Sequence, residues 1–76
     1  MNIAPLAERS DHFADIRELR CALVNHSHTF SPDYIHALQI DLAVTIYCLF
    51  HGGTIRDGYN AHGQGFIPQW IYDLAR

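Results

Sequence analysis

The sequence predicts an all-α protein, and three observations carry that expectation. Residues 31–53, SPDYIHALQIDLAVTIYCLFHGG, open on helix-start signals and close on helix-stop signals. Between those signals, apolar residues recur at spacings of three and four, the period of a helix. An upstream segment, Asn2 to Val24, repeats the pattern in Phe13, Ile16, Leu19 and Leu23. The expected architecture is an antiparallel helical hairpin, a Gly-rich loop and a short C-terminal helix, together forming one small domain over residues 1–76.

The first helix has two candidate starts. Pro5 suits a first helical position, whereas Ser10, with Asp11 behind it, would cap a later one. Beside the apolar stripe, Glu8, Asp11, Asp15 and Glu18 follow one another at spacings of three and four. Like charges so placed cost roughly 0.2–0.5 kcal/mol per pair, and no basic residue compensates them along this ridge. Such a run is either a solvated face or a docking ridge for a basic surface. Arg9 and Arg20 fall inside the apolar arc, where a long stem can lie on apolar surface with its head in water. The hairpin register also sets Arg20 level with Asp41, offering a buried carboxylate the cation it needs.

Residues 25–31, NHSHTFS, form the turn. Asn25 ends the first helix, and Phe30 is placed to staple across the start of the second. There Ser31 is the N-cap, Pro32 occupies the position whose N–H would be unpaired anyway, and Asp33 sits at the positive end of the helix dipole. Gly52 and Gly53 supply the left-handed backbone that closes a helix. On this helix Ile35, Leu38, Leu42, Ile46 and Leu49 share one side, and Ala37, Ile40, Val44, Tyr47 and Cys48 share another. The run Leu42 to Phe50 is rich in β-branched and aromatic residues and fits a buried strand by composition; the caps decide for helix. A helix apolar nearly all round must be covered all round. With so short a chain to cover it, a homodimer is expected, with Ala37, Ile40, Val44 and Tyr47 in the contact.

Residues 52–65, GGTIRDGYNAHGQG, read as a Gly-rich loop with a tight turn at Asp57-Gly58. Pro68 then opens FIPQWIYDLAR, a two-turn helix laid across the hairpin. Tyr59, Phe66, Trp70 and Tyr72, with Arg56 nearby, are residue types enriched at interface hot spots. Their alternative place is the core, with Trp70 and Leu74 forming a third layer.

Composition narrows the function. A net charge of −3 leaves no general basic face for nucleic acid. No apolar run reaches the roughly 20 residues a membrane span requires, and Asp41 interrupts the best candidate. The start, MNIAPLAERSD, has neither a basic region nor an apolar one of the kind a signal peptide carries. Cys21 and Cys48 fall at different levels of the hairpin, beyond the ~7 Å Cα separation a disulfide spans. They read as reduced core residues of a cytoplasmic protein.

Six histidines raise metal binding as an alternative. His26 and His28 with His36 could gather three imidazoles at the turn, and Cys48 and His51 with His12 form a second set at the other end. A structural zinc takes four ligands, and the two sets are too far apart to share one ion, so neither metal nor cofactor is expected. Nothing assembles an enzyme. His51-Gly52-Gly53 shares three letters with a lipase oxyanion loop but lacks the accompanying serine elbow, and Gly63-x-Gly65 lacks a third glycine. The expected function is therefore a non-catalytic module that docks on a larger protein with a basic surface and regulates or inhibits it. Small inhibitors such as phage anti-defence proteins share this profile. Glu8, Asp11, Asp15, Glu18, Arg56, Tyr59, Phe66, Trp70 and Tyr72 are the expected contacts. A second alternative is small-ligand binding in a dimer groove lined by the Gly-rich loop.

Overall fold

Helix caps set the boundaries of the chain's central element. In the computed structural model, which describes residues 6–76 and side chains from His12 onward, α2 spans Pro32–His51. Ser31 Oγ accepts a hydrogen bond from the Tyr34 N–H at 3.2 Å, satisfying one of the donors a helix start leaves free. Phe30 packs edge-on against Tyr34, with ring centroids 4.8 Å apart, so the staple closes on the third helical residue rather than the fourth. At the far end Gly52 takes φ 77° and its N–H donates to the Cys48 carbonyl. The strand-like composition of Leu42 to Phe50 yields to these caps.

The first helix, α1, spans Leu6–Asn25 and ends at the expected asparagine. Ser10 lies inside it and therefore does not cap its start. A short 3-10 turn, Ser27–Thr29, leads into α2. Ile16, Leu19 and Leu23 pack on a buried cluster centred on α2. Leu19 shares a cleft with Asp41 and Thr45, and Leu23 a cavity with Ile35 and Leu42, so later residues of α1 meet earlier residues of α2.

The segment expected to be a Gly-rich loop is instead largely a helix, α3, Ile55–Gly63. Thr54 Oγ1 accepts from the Asp57 N–H, and the Asp57 carboxylate accepts from the Thr54 N–H. This reciprocal capping box nucleates α3 where a turn was expected. Its axis stands at 111° to that of α2. Gly58 faces α2 so closely that a Cβ there would lie 2.7 Å from both Cys48 Sγ and Val44 Cγ1. Its glycine serves helix-on-helix approach, since its φ is not positive.

The last helix, α4, spans Gln69–Leu74, and its Ile71 joins the buried cluster together with the flanking Ile67 and Ala75. The residues proposed as its core layer, Trp70 and Leu74, face outward, about half exposed. Arg20 does not reach Asp41; its Nη2 donates to the Leu74 carbonyl at 3.3 Å and ties α1 to the end of α4.

The covering of α2 revises the expected dimer contact. Val44 does point away from α1, but α3 covers it, and it is fully buried within the chain. Ala37 is exposed, and Ile40 and Tyr47 are half-buried. Cys21 is exposed rather than core, whereas Cys48 is buried; both are free thiols. Among the described residues no single helix is long and apolar enough to cross a membrane.

Candidate functional site

The three-way junction of α1, α2 and α3 leaves a cleft of about 330 Å³. From α1 come Asp15, Glu18 and Leu19; from α2, Asp41 and Thr45; from α3, Ile55 and Tyr59. The helical period explains the set. Asp15, Glu18 and Leu19 lie within one turn on the side of α1 that meets α2, and Asp41 and Thr45 are stacked one turn apart. Ile55 and Tyr59 are likewise four apart on α3, and they reach the cleft because the capping box starts that helix at Ile55.

The chemistry of the cleft is a carboxylate wall over an apolar floor. Leu19 and Ile55 pack on the core cluster, and Thr45 is buried with its hydroxyl spent on the Asp41 carbonyl at 2.8 Å. Burial pushes the Asp41 carboxyl above its ordinary value of 3.8. A cation beside it would act in the opposite direction. The ion pair present among the described residues, Arg76 with Asp73 at 3.6 Å, lies elsewhere, and none of the cleft's lining residues is basic. Tyr59 stands at the rim, 40% exposed.

The expected site residues that the structure describes are spread over α1, α3, α4 and the segment before α4. Asp15, Glu18 and Tyr59 meet in the cleft; Glu8 and Asp11 lie on α1 outside the described side chains. Arg56 is exposed on α3 and does not line the cleft. Trp70 contacts Phe50 of α2 in an edge-on pair with centroids 5.3 Å apart, while Phe66 is exposed. Tyr72 is half-buried, its hydroxyl 2.6 Å from His62 Nδ1 and bridging α4 to α3. Sequence reasoning did not place Asp41, Leu19, Thr45 and Ile55 in a site. The available signal was Asp41 itself, a charge in an apolar helix.

The histidines are dispersed. No three His, Cys, Asp or Glu side chains stand close enough to hold a metal ion among the described residues. His26 contacts Phe30 in the turn, whereas His36 lines a separate cavity with Tyr72. At the other end His51 stacks on Tyr47 at 4.3 Å, and Cys48 Sγ donates to the Thr54 carbonyl at 3.2 Å. Burial, aided by the charge on Asp57, pushes the Cys48 thiol above its ordinary value, opposed by a backbone hydrogen bond from Gly58. A thiol so placed is a poor nucleophile at neutral pH. His12 is buried with neither ring nitrogen hydrogen-bonded among the described residues.

Fold and cleft together define a small all-helical protein with an acidic, apolar-floored groove. Compared with known protein families, curated proteins and solved structures, the chain matches none.

Proposed function

We propose that the protein is a non-catalytic cytoplasmic module that binds a larger protein through that partner's basic surface and thereby regulates or inhibits it. The observation that supports this reading is the cleft, where three carboxylates stand with no cation among the described residues over Leu19 and Ile55, with Tyr59 at the rim. A guanidinium or ammonium group suits each part. Its stem would lie on the apolar floor, its charge against the carboxylates and its face against the phenol ring. In this reading α1 and α2 act as a hairpin, and α3 completes the wall of the groove with Ile55 and Tyr59. Self-association would use Ala37, Ile40 and Tyr47 without Val44.

A short arginine peptide and its glycine counterpart, titrated into isotopically labelled protein, test the proposal. The arginine peptide should shift the amides of Leu19, Asp41, Ile55 and Tyr59, more at low salt than high, because exposed charge is screened over about 10 Å at 0.1 M. Glu18→Gln should weaken the response and Asp15→Lys should abolish it, with the melting temperature equal or slightly raised in both. Equal shifts from the glycine peptide, or shifts confined to other helices, would overturn the reading.

A further inference from the structure

Away from the acidic cleft, the end of α1, the start of α2 and the end of α4 enclose a second cavity of about 350 Å³. Its chemistry is the opposite of the cleft's. Leu23, Ile35, Leu42 and Ala75 line it, and Leu42 and Ala75 are almost wholly buried. Two of the chain's five arginines, Arg20 and Arg76, stand in its lining, which contains no Asp or Glu side chain although the chain carries a net charge of −3. The Arg20 guanidinium donates to the Leu74 carbonyl at 3.3 Å; among the described residues its other N–H donors have no partner. Among the described residues Arg76 pairs with one exposed group, Asp73, three residues away at 3.6 Å. An exposed pair of that kind is weak and readily exchanged.

We propose that this cavity binds an apolar carboxylate: an aliphatic group seated on Leu23, Ile35 and Leu42, with its carboxylate paired to Arg20 and Arg76. A polyanion such as a phosphate ester would leave the aliphatic lining unused. An uncharged apolar ligand would leave the guanidinium groups unused. Arginine recognises a carboxylate through two parallel N–H···O bonds, which fixes the ligand's orientation. The volume lies within the range of small-molecule sites. The same chemistry occurs in a free fatty acid and in a chain that ends on a residue such as leucine.

Titration with octanoate, octanol, acetate and N-acetyl-leucine, followed by amide shifts in the full chain, tests the assignment. Octanoate or N-acetyl-leucine should shift Leu23, Ile35 and Ala75, with octanol and acetate each at least tenfold weaker than the better of the two acids. Tighter binding of octanoate assigns the free acid; tighter binding of N-acetyl-leucine assigns a chain terminus. Arg20→Gln and Arg76→Gln, each checked for an unchanged far-ultraviolet spectrum, should each weaken the better acid at least threefold. Octanol binding as tightly as octanoate, or acid binding unaffected by both substitutions, would overturn the proposal.

Discussion

Asp41, in the middle of the protein's most apolar helix, has no cation beside it among the described residues. Its folded-state pKa lies above the ordinary 3.8 because burial disfavours the carboxylate, so ionised Asp41 opposes folding. Above the folded-state pKa the carboxyl is ionised in both folded and unfolded chains and the penalty is fully present. As pH falls through the folded-state pKa toward 3.8, the folded chain takes up its proton first and the penalty fades. Asp41→Asn should therefore be more stable at pH 7, by about a few tenths of a kcal/mol since solvent screens a side chain this accessible. The difference should vanish in denaturant titrations below pH 3.8. A less stable Asn variant at pH 7 would mean that the carboxylate already has a cationic partner. The sequence marked Asp41 as a charge needing a cation and offered Arg20 as one way to supply it, beside a stem lying on apolar surface with its head in water. What it could not show is the roll of α1 about its own axis. That roll turns Asp15 and Glu18 toward Asp41 and sends Arg20 to α4.

The helices bounded by strong local signals were readable in advance. Ser31-Pro32-Asp33 and Gly52 bracket α2 where expected, and Asn25 ends α1. α3 was misread because Asp57-Gly58 is also a common turn pair, and the turn reading masked the Thr54-x-x-Asp57 box just before it. Gly58 belongs to a different physics, visible only once α3 lies on α2. Adding a methyl group to it would gain up to about 1 kcal/mol of helix propensity. The new Cβ would also meet Val44, which is fully buried and stiff at χ1, and Cys48, whose thiol is engaged by the Thr54 carbonyl. Overpacking of that kind costs about 1–3 kcal/mol. Gly58→Ala should thus be destabilised by roughly 1–2 kcal/mol in urea titrations. Gly63→Ala, where nothing lies within 4 Å of the added carbon, should be neutral or up to about 0.5 kcal/mol more stable, the gain being small at a helix end. If the two variants behave alike, close packing of α3 on α2 is not what selects glycine at residue 58.

Taken whole, the molecule wraps three helices around α2 and still leaves large apolar side chains outside. Phe50 and Trp70 pack on each other while 62% and 48% exposed, and Leu74, one turn beyond Trp70, is similarly open. In the same short helix Ile71 is fully buried, so α4 separates a core side from an outward one within six residues. The sequence offered core and interface as alternatives for the aromatic residues of this segment, because six residues are too few to fix a face by periodicity. Ile71→Ala should cost about 2–5 kcal/mol, the range for truncating a buried isoleucine. Trp70→Ala should cost well under half as much, about 1 kcal/mol for one edge-on aromatic pair and a half-covered ring. Val44→Glu buries an unpaired charge beneath α3 and should unfold the chain at every protein concentration, rather than release a folded monomer. Light scattering and thermal melts across a concentration series separate the cases. If the contact between copies extends from Ala37, Ile40 and Tyr47 to Phe50 and Trp70, the wild-type melting temperature rises with concentration and Trp70→Ala weakens that dependence. If the wild-type melt is independent of concentration and Trp70→Ala is nearly as stable, the rings face solvent in the free protein. A Trp70→Ala loss equal to that of Ile71→Ala would place the indole in the core, against the exposure that the structure gives it.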